Sequence, residues 1–176
     1  MSEPTEPDLQ QRAEDLVRER FHDQVVAVGV HAGQRWIEVR RDKIVEILKT
    51  LRDQLKFEML MDLTAVDWLN QGRLERFTVV YELFSLTHNG YYRVKAWVPE
   101  HEPEIDSAFE VWKAAPWAER EVFDMYGLHF RNHPELADGR MRRILLPDAY
   151  PGHPLRKDYP LEGFGERYDF EVHRRG

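Results

Sequence analysis

Apolar residues recur at helical spacing from Thr5 to Phe21, where Leu9, Ala13, Leu16 and Val17 share one face and Glu14, Arg18 and Glu19 occupy the others. Thr5 and Asp8 have the spacing of a capping box, with aspartate in place of the usual glutamate. The apolar run Val25, Val26, Ala27, Val28 and Val30 then predicts a strand, and His31, Ala32, Gly33 and Gln34 turn it into a second one bearing Trp36, Ile37 and Val39. Asp42 is placed to cap a second helix, in which Ile44, Ile47, Leu48, Leu51 and Leu55 form the apolar stripe. Three strands follow, over Glu58 to Asp67, Arg76 to Ser85 and Tyr91 to Val98. Phe77, Val79, Tyr81 and Leu83 alternate with polar positions in the middle strand, as do Tyr92, Val94, Ala96 and Val98 in the last. Asn89 and Gly90 supply the left-handed backbone of the turn between those two. Met59, Leu60, Met61 and Leu63 read as core, and the five tryptophans as core or interface fillers.

The pattern changes after Pro99. Ile105 to Tyr126 reads as mostly helical, interrupted at Pro116 and ended by a left-handed Gly127. From Gly127 onward the chain carries five prolines and six glycines without sustained periodicity. A long segment of this kind that keeps Phe130, Tyr150, Tyr159, Phe164, Tyr168 and Phe170 needs a surface on which to bury its rings, and a partner protein would supply one. The expected fold is therefore α+β and two-layered, helix-strand-strand-helix-three strands with a mixed five-stranded sheet, followed by a helix and an extended C-terminal arm. Residues 1–126 form the α+β domain with its closing helix, and 127–176 the docking arm.

Composition narrows the function classes. The chain has 176 residues, a net charge of −7 and no cysteine. Disulfides, thiolate-bound zinc and cysteine-ligated iron-sulfur clusters are thus beyond its own means. Its bases are interleaved with acids, so the electrostatic footprint of a nucleic-acid binder is missing. No apolar run approaches the roughly 18 residues of a membrane span, so direct membrane insertion is not expected. Glu3, Glu6 and Asp8 with no base before them do not make a cationic leader.

The densest polar stretch is Glu119, Arg120, Glu121, Asp124, Tyr126 and Gly127. On a helix Arg120 and Asp124 are spaced to pair, and Glu121 and Asp124 share a face, which suits a salt-bridged or contact surface better than acid-base chemistry. His129 and His133 would serve a metal only from a helix, which Gly127 and Pro134 argue against. Between Arg131 and Lys157 six bases face three acids. Without a glycine-rich phosphate loop, Arg142, Arg143, Arg156 and Lys157 are expected to clamp the arm onto an acidic partner surface. No Ser-His-Asp order, HExxH or dinucleotide fingerprint occurs.

These residues carry a resemblance. Glu119, Arg120, Glu121, Asp124 and Gly127, then His133 and Pro134, Arg142 and Arg143, and finally His153, Pro154, Arg156, Lys157 and Asp158 resemble the signature of the 30-kilodalton or C-subunit family of NADH:quinone oxidoreductase, respiratory complex I. The likeness extends upstream through Asp62 to Asp67 and through Val80 to Leu86, while Ala137 to Met141 look inserted. It implies a proton-pumping complex in which electrons pass from NADH through FMN and Fe-S clusters on other subunits to quinone. The chain itself would hold no cofactor, no metal and no catalytic residue. Its signature residues would form an interface with the large quinone-binding D-subunit, near the iron-sulfur B-subunit, among other peripheral-arm proteins, on the cytoplasmic side of a bacterial inner membrane. The alternatives are the equivalent component of a related membrane-bound hydrogenase or quinone reductase, and a stand-alone metal-dependent hydrolase using His129, His133 and Asp124.

Overall fold

The computed structural model of the chain describes residues 8–136 and 140–163. Helix α1, Leu9–Arg20, leads into strands β1, Val25–His31, and β2, Gln34–Arg40. Helix α2, Ile44–Leu55, is followed by β3, Met59–Asp67, β4, Phe77–Ser85, and β5, Gly90–Val98. The sheet order is β1-β2-β5-β4-β3, with β2 and β5 parallel and the other pairs antiparallel. A mixed sheet follows because α2 carries the chain from β2 to the opposite edge before the β3-β4-β5 meander returns beside it.

Register explains the core. Ile37 and Val39 sit opposite Val94 and Ala96, which pair with Tyr81 and Val79, and these with Leu63 and Ala65. All eight point to one face and are buried there beneath the helices with Val17, Ile47, Leu48 and Leu51. The α+β, two-layer expectation agrees with this architecture. On the outer face Trp36 lies across Gly29 of the neighbouring strand, where a Cβ would stand 2.3 Å from its ring. A glycine is required at that crossing.

Several local expectations are corrected. Asp8 occupies the cap position of α1, but its side chain makes no capping bond, and Thr5 lies outside the described residues. Asp42 does not cap α2; it belongs to a 3-10 turn, Arg41–Lys43, that feeds directly into the helix. Of Asn89 and Gly90 only Asn89 is left-handed, at φ 49°, while Gly90 opens β5. Met59 and Met61 are exposed, not core, because an extra residue between Leu60 and Asp62 reverses the strand's alternation and turns Leu60 toward Leu83.

The region after Pro99 holds less helix and more strand than its composition suggests. Ile105 lies in a short strand β6, Glu104–Asp106, followed by a 3-10 turn, Ala108–Glu110. Helix α3 spans Ala115–Tyr126 and does not break at Pro116, which sits in its first turn where no backbone N–H is needed. Gly127 ends α3 at φ 74° with its N–H on the Phe123 carbonyl, as expected. Beyond it β7, His129–Arg131, pairs in parallel with β6, so the arm begins with regular structure. Of the arm's aromatic residues, Phe164, Tyr168 and Phe170 lie outside the described residues, as do Ala137, Asp138 and Gly139 of the apparent insertion.

Candidate functional site

Helix α3 turns two carboxylates inward. Glu119 is fully buried, accepting from the Ser107 hydroxyl at 2.7 Å and from the Ala108 N–H at 2.7 Å. Burial pushes its carboxyl up to about 7 despite those two donors. His133 is buried beside it, its Nε2 3.1 Å from the Pro116 carbonyl and 3.8 Å from Glu119, while its Nδ1 accepts from the Glu135 N–H. Those contacts assign the proton to Nε2. Five residues on, Asp124 is fully buried too. One of its oxygens accepts from three successive backbone N–H groups, of Ile144, Leu145 and Leu146, at 2.8, 2.7 and 3.1 Å. The chain here folds into a small anion-binding nest around its own aspartate.

Arg120 and Arg143 hold the same stretch from its other side. Arg120 donates to the Arg142 and Arg143 carbonyls at 3.1 and 2.7 Å and pairs with Glu135 at 2.9 Å. Arg143 donates to the carbonyls of Tyr150 and Gly152 and stands 3.6 Å from Asp124. Met141, last of the apparent insertion, is buried with its sulfur 3.2 Å from the Phe130 nitrogen.

The arm then closes the C-terminal end of α3, where the last carbonyls have no partner within the helix. His153 Nδ1 donates to the Asp124 carbonyl at 2.9 Å, and the Leu155 N–H to that of Met125 at 3.0 Å. The His153 ring lies against Gly127, where a Cβ would come within 2.6 Å of it, and edge-on to Phe123. Burial, with Arg143 and Arg156 nearby, lowers the His153 pKa even though the Asp124 carbonyl favours the protonated ring.

A second anchor lies at the end of the sheet. Asp67, last residue of β3, takes a two-pronged contact from Arg76 at 3.0 and 2.9 Å, and accepts the Leu69 and Lys157 N–H groups. Arg76 also pairs with Glu100 and with Asp158, the latter at 2.7 Å. Burial works against the Asp67 carboxylate, but bonds from Arg76 and the two N–H groups outweigh it and hold the pKa below the usual range. The Arg156 guanidinium lies 5.1 Å from the Phe77 ring centre.

The signature residues thus converge on one seam between the domain and the arm. Glu119, Arg120, Asp124, Gly127, His133, Arg143, His153, Arg156 and Asp158 all make contacts within this chain. Two expectations differ. Arg120 pairs with Glu135 rather than Asp124, because Asp124 points into the nest; Glu121 is exposed and does not share the buried face. Arg131 and Arg143 of the arm meet acids of this chain, Asp106 and Asp124, and the arm's backbone N–H groups at 144–146 and 157 meet Asp124 and Asp67. Glu121, Pro134, Arg142, Lys157 and Asp158 are exposed, and Tyr126 and Pro154 are half-buried. His129 lies in β7 against Phe123 while His133 is buried under α3. Among the described residues no three His, Asp or Glu side chains converge to hold a metal.

Sequence reasoning missed the Asp67–Arg76 anchor, Ser107 and the role of Met141. The signal for the anchor was positional: an acid ending one apolar strand and a base preceding the next, on neighbouring strands.

A family model described as respiratory-chain NADH dehydrogenase, 30 Kd subunit, matches residues 37–165. The NADH-quinone oxidoreductase C-subunit of Citrifermentans bemidjiense is 45% identical over 152 residues, covering 86% of this chain and 90% of that protein. Its counterpart in Geobacter metallireducens is 47% identical over 155 residues, covering 88% and 91%. Among solved structures, one described as Nqo5 of the trypsin-resistant fragment (1-134) superposes with a TM-score of 0.63 at 30% identity, over 71% of this chain and 99% of that one. A polypeptide of the membrane-bound sulfane sulfur reductase, an archaeal respiratory membrane complex, shares the fold at a TM-score of 0.66 and 22% identity, over 85% and 86%. With the match running from β2 through the strap that closes α3, the chain belongs to the family of the 30-kilodalton subunit of the respiratory-chain NADH dehydrogenase.

Proposed function

We propose that the chain is a structural subunit of the peripheral arm of a proton-pumping NADH:quinone oxidoreductase, with no catalytic residue, metal or cofactor of its own. The observation that carries this reading is the disposition of the seam. Glu119, Asp124 and His133 face inward, while Leu145, Leu155 and Leu161 of the arm and Trp117 of α3 stay exposed at 59, 53, 106 and 60%. Large apolar side chains held outward on an anchored segment suit a protein surface. A cleft of about 560 Å³ lies elsewhere, lined by residues such as Val26, Arg40, Leu74 and Trp97, and includes none of the signature. The buried Glu119 is therefore read as a structural acid rather than a catalytic one.

The quinone-binding D-subunit, with the iron-sulfur B-subunit beside it, is the proposed cover for the arm, and FMN and Fe-S clusters on other subunits carry the electrons. Among the described residues no helix is long and apolar enough to cross a membrane. This supports a peripheral position, proposed to be on the cytoplasmic side of a bacterial inner membrane. A chain of the archaeal membrane-bound sulfane sulfur reductase shares the fold, and the names carried by relatives at 45 and 47% identity favour the NADH-linked complex over the hydrogenase-type or quinone-reductase alternatives. The test is a Leu145→Asp, Leu155→Asp double variant expressed in place of the native chain. Native gels of the membranes should show loss of the assembled complex while the purified variant unfolds like the wild type; wild-type amounts of complex would overturn the docking reading.

A further inference from the structure

We infer that the signature residues of α3 and the arm act as an intrachain latch, forming the arm in the free protein before any partner arrives. This goes beyond the docking proposal: it assigns Glu119, Arg120, Asp124, His133, Arg143, His153 and Asp158 to positioning and leaves recognition to the outward-facing residues, whichever neighbour covers them.

The case rests on where the bonds go. Asp124 and Glu119 are fully buried and His133 nearly so, which puts them out of reach of another chain in this conformation. Their partners are largely backbone groups of this chain: three N–H groups for Asp124, one N–H for Glu119, one carbonyl for His133. Backbone partners fix the path of a segment irrespective of its side chains. Arg120 and Arg143 likewise take four carbonyls between Arg142 and Gly152, a stretch without helix or sheet bonds of its own. His153 and the Leu155 N–H close carbonyls that α3 would otherwise leave open. The Lys157 N–H and Asp158 carboxylate then join a pair that β3 and the start of β4 already hold. Asp124 serves both ends of the device, its carboxylate gripping residues 144–146 and its carbonyl receiving His153. The connecting chain from 147 to 156 is thereby pinned at both ends without a partner.

Hydrogen exchange on the full chain, alone and in the purified complex, decides the matter. The amides of residues 144–146, 155 and 157 should exchange about 100-fold or more below their free-peptide rates in the isolated wild-type chain. Asp124→Ala should release residues 144–146 with β4 and β5 protection unchanged, and Asp124→Asn, which keeps an acceptor oxygen, should restore part of it. Such local loss and rescue distinguishes a latch from a general weakening of the fold. Free exchange in the isolated wild type, with protection only in the complex, would overturn the inference and leave the docking proposal standing. Protection that survives Asp124→Ala would overturn it as well. Trypsin sensitivity does not read this property, because Arg140 and Arg142 are exposed ahead of the anchored stretch.

Discussion

Arg76→Met removes the guanidinium that joins the sheet to the arm while keeping most of its aliphatic volume. The Arg76 and Asp67 side chains are only 5 and 1% exposed, so the variant leaves a carboxylate buried without its base. Breaking such a pair costs about 3–5 kcal/mol. Two terms place this case at the lower end. Asp67 keeps the Leu69 and Lys157 N–H groups, each at 2.9 Å, and the lost contacts to Glu100 and Asp158 involve carboxylates 58 and 50% exposed, worth under about 1 kcal/mol each. The expected loss is about 3 kcal/mol in urea unfolding of the isolated full chain at pH 7. Because the native Asp67 pKa is depressed, the pair's contribution is present above the unfolded carboxyl value and lost as pH falls through the folded one. In the variant the unpaired acid is expected to take up a proton more readily, so the destabilisation shrinks on acidification toward about pH 4. Adding Asp67→Asn should recover part of the loss at pH 7. A single-variant effect below about 0.5 kcal/mol, or no gain from the second change, would refute the reasoning.

Three further outcomes are expected. Glu119 has a folded pKa near 7 against an ordinary 4.5, so its favourable contribution is complete below the unfolded value and disappears as pH rises through the folded one. The wild type should lose about 3 kcal/mol relative to Glu119→Gln between about pH 4.5 and 8, measured by parallel urea titrations. Gly127→Ala places a Cβ at φ 74° and 2.6 Å from His153; about 2 kcal/mol should be lost, with a shift of the His153 ring resonances in NMR spectra. Arg143→Glu sets a second acid beside Asp124 and removes the Tyr150 and Gly152 contacts, and should lower the amount of assembled complex on native gels.

The sheet and its helices were legible because their signals are local. Alternation in Phe77–Ser85 and the stripe of Ile47, Leu48 and Leu51 each determine a buried face without knowledge of the rest. Met59 and Met61 were misread because a bulge reverses parity, and a single extra residue leaves no mark on composition. The 3-10 turns and the three-residue strands β6 and β7 were hidden for a related reason: segments so short have no period, and their pairing is non-local. At the seam the sequence singled out residues that the structure brings together, but not the intrachain partners they take. Asp124 and the Ile144 N–H are 20 positions apart, and Asp67 and the Lys157 N–H 90. Backbone donors carry no residue identity, so an aspartate that serves them reads like an aspartate awaiting a base.

The central claim is membership of a larger redox complex, and isolating that complex tests it most directly. A tagged copy of this chain, purified from detergent-solubilised membranes of its own host, should bring with it the quinone-binding and iron-sulfur subunits and NADH-dependent quinone reduction in one sedimenting particle. A tagged chain that sediments alone, or with partners that oxidise no NADH, would contradict the account.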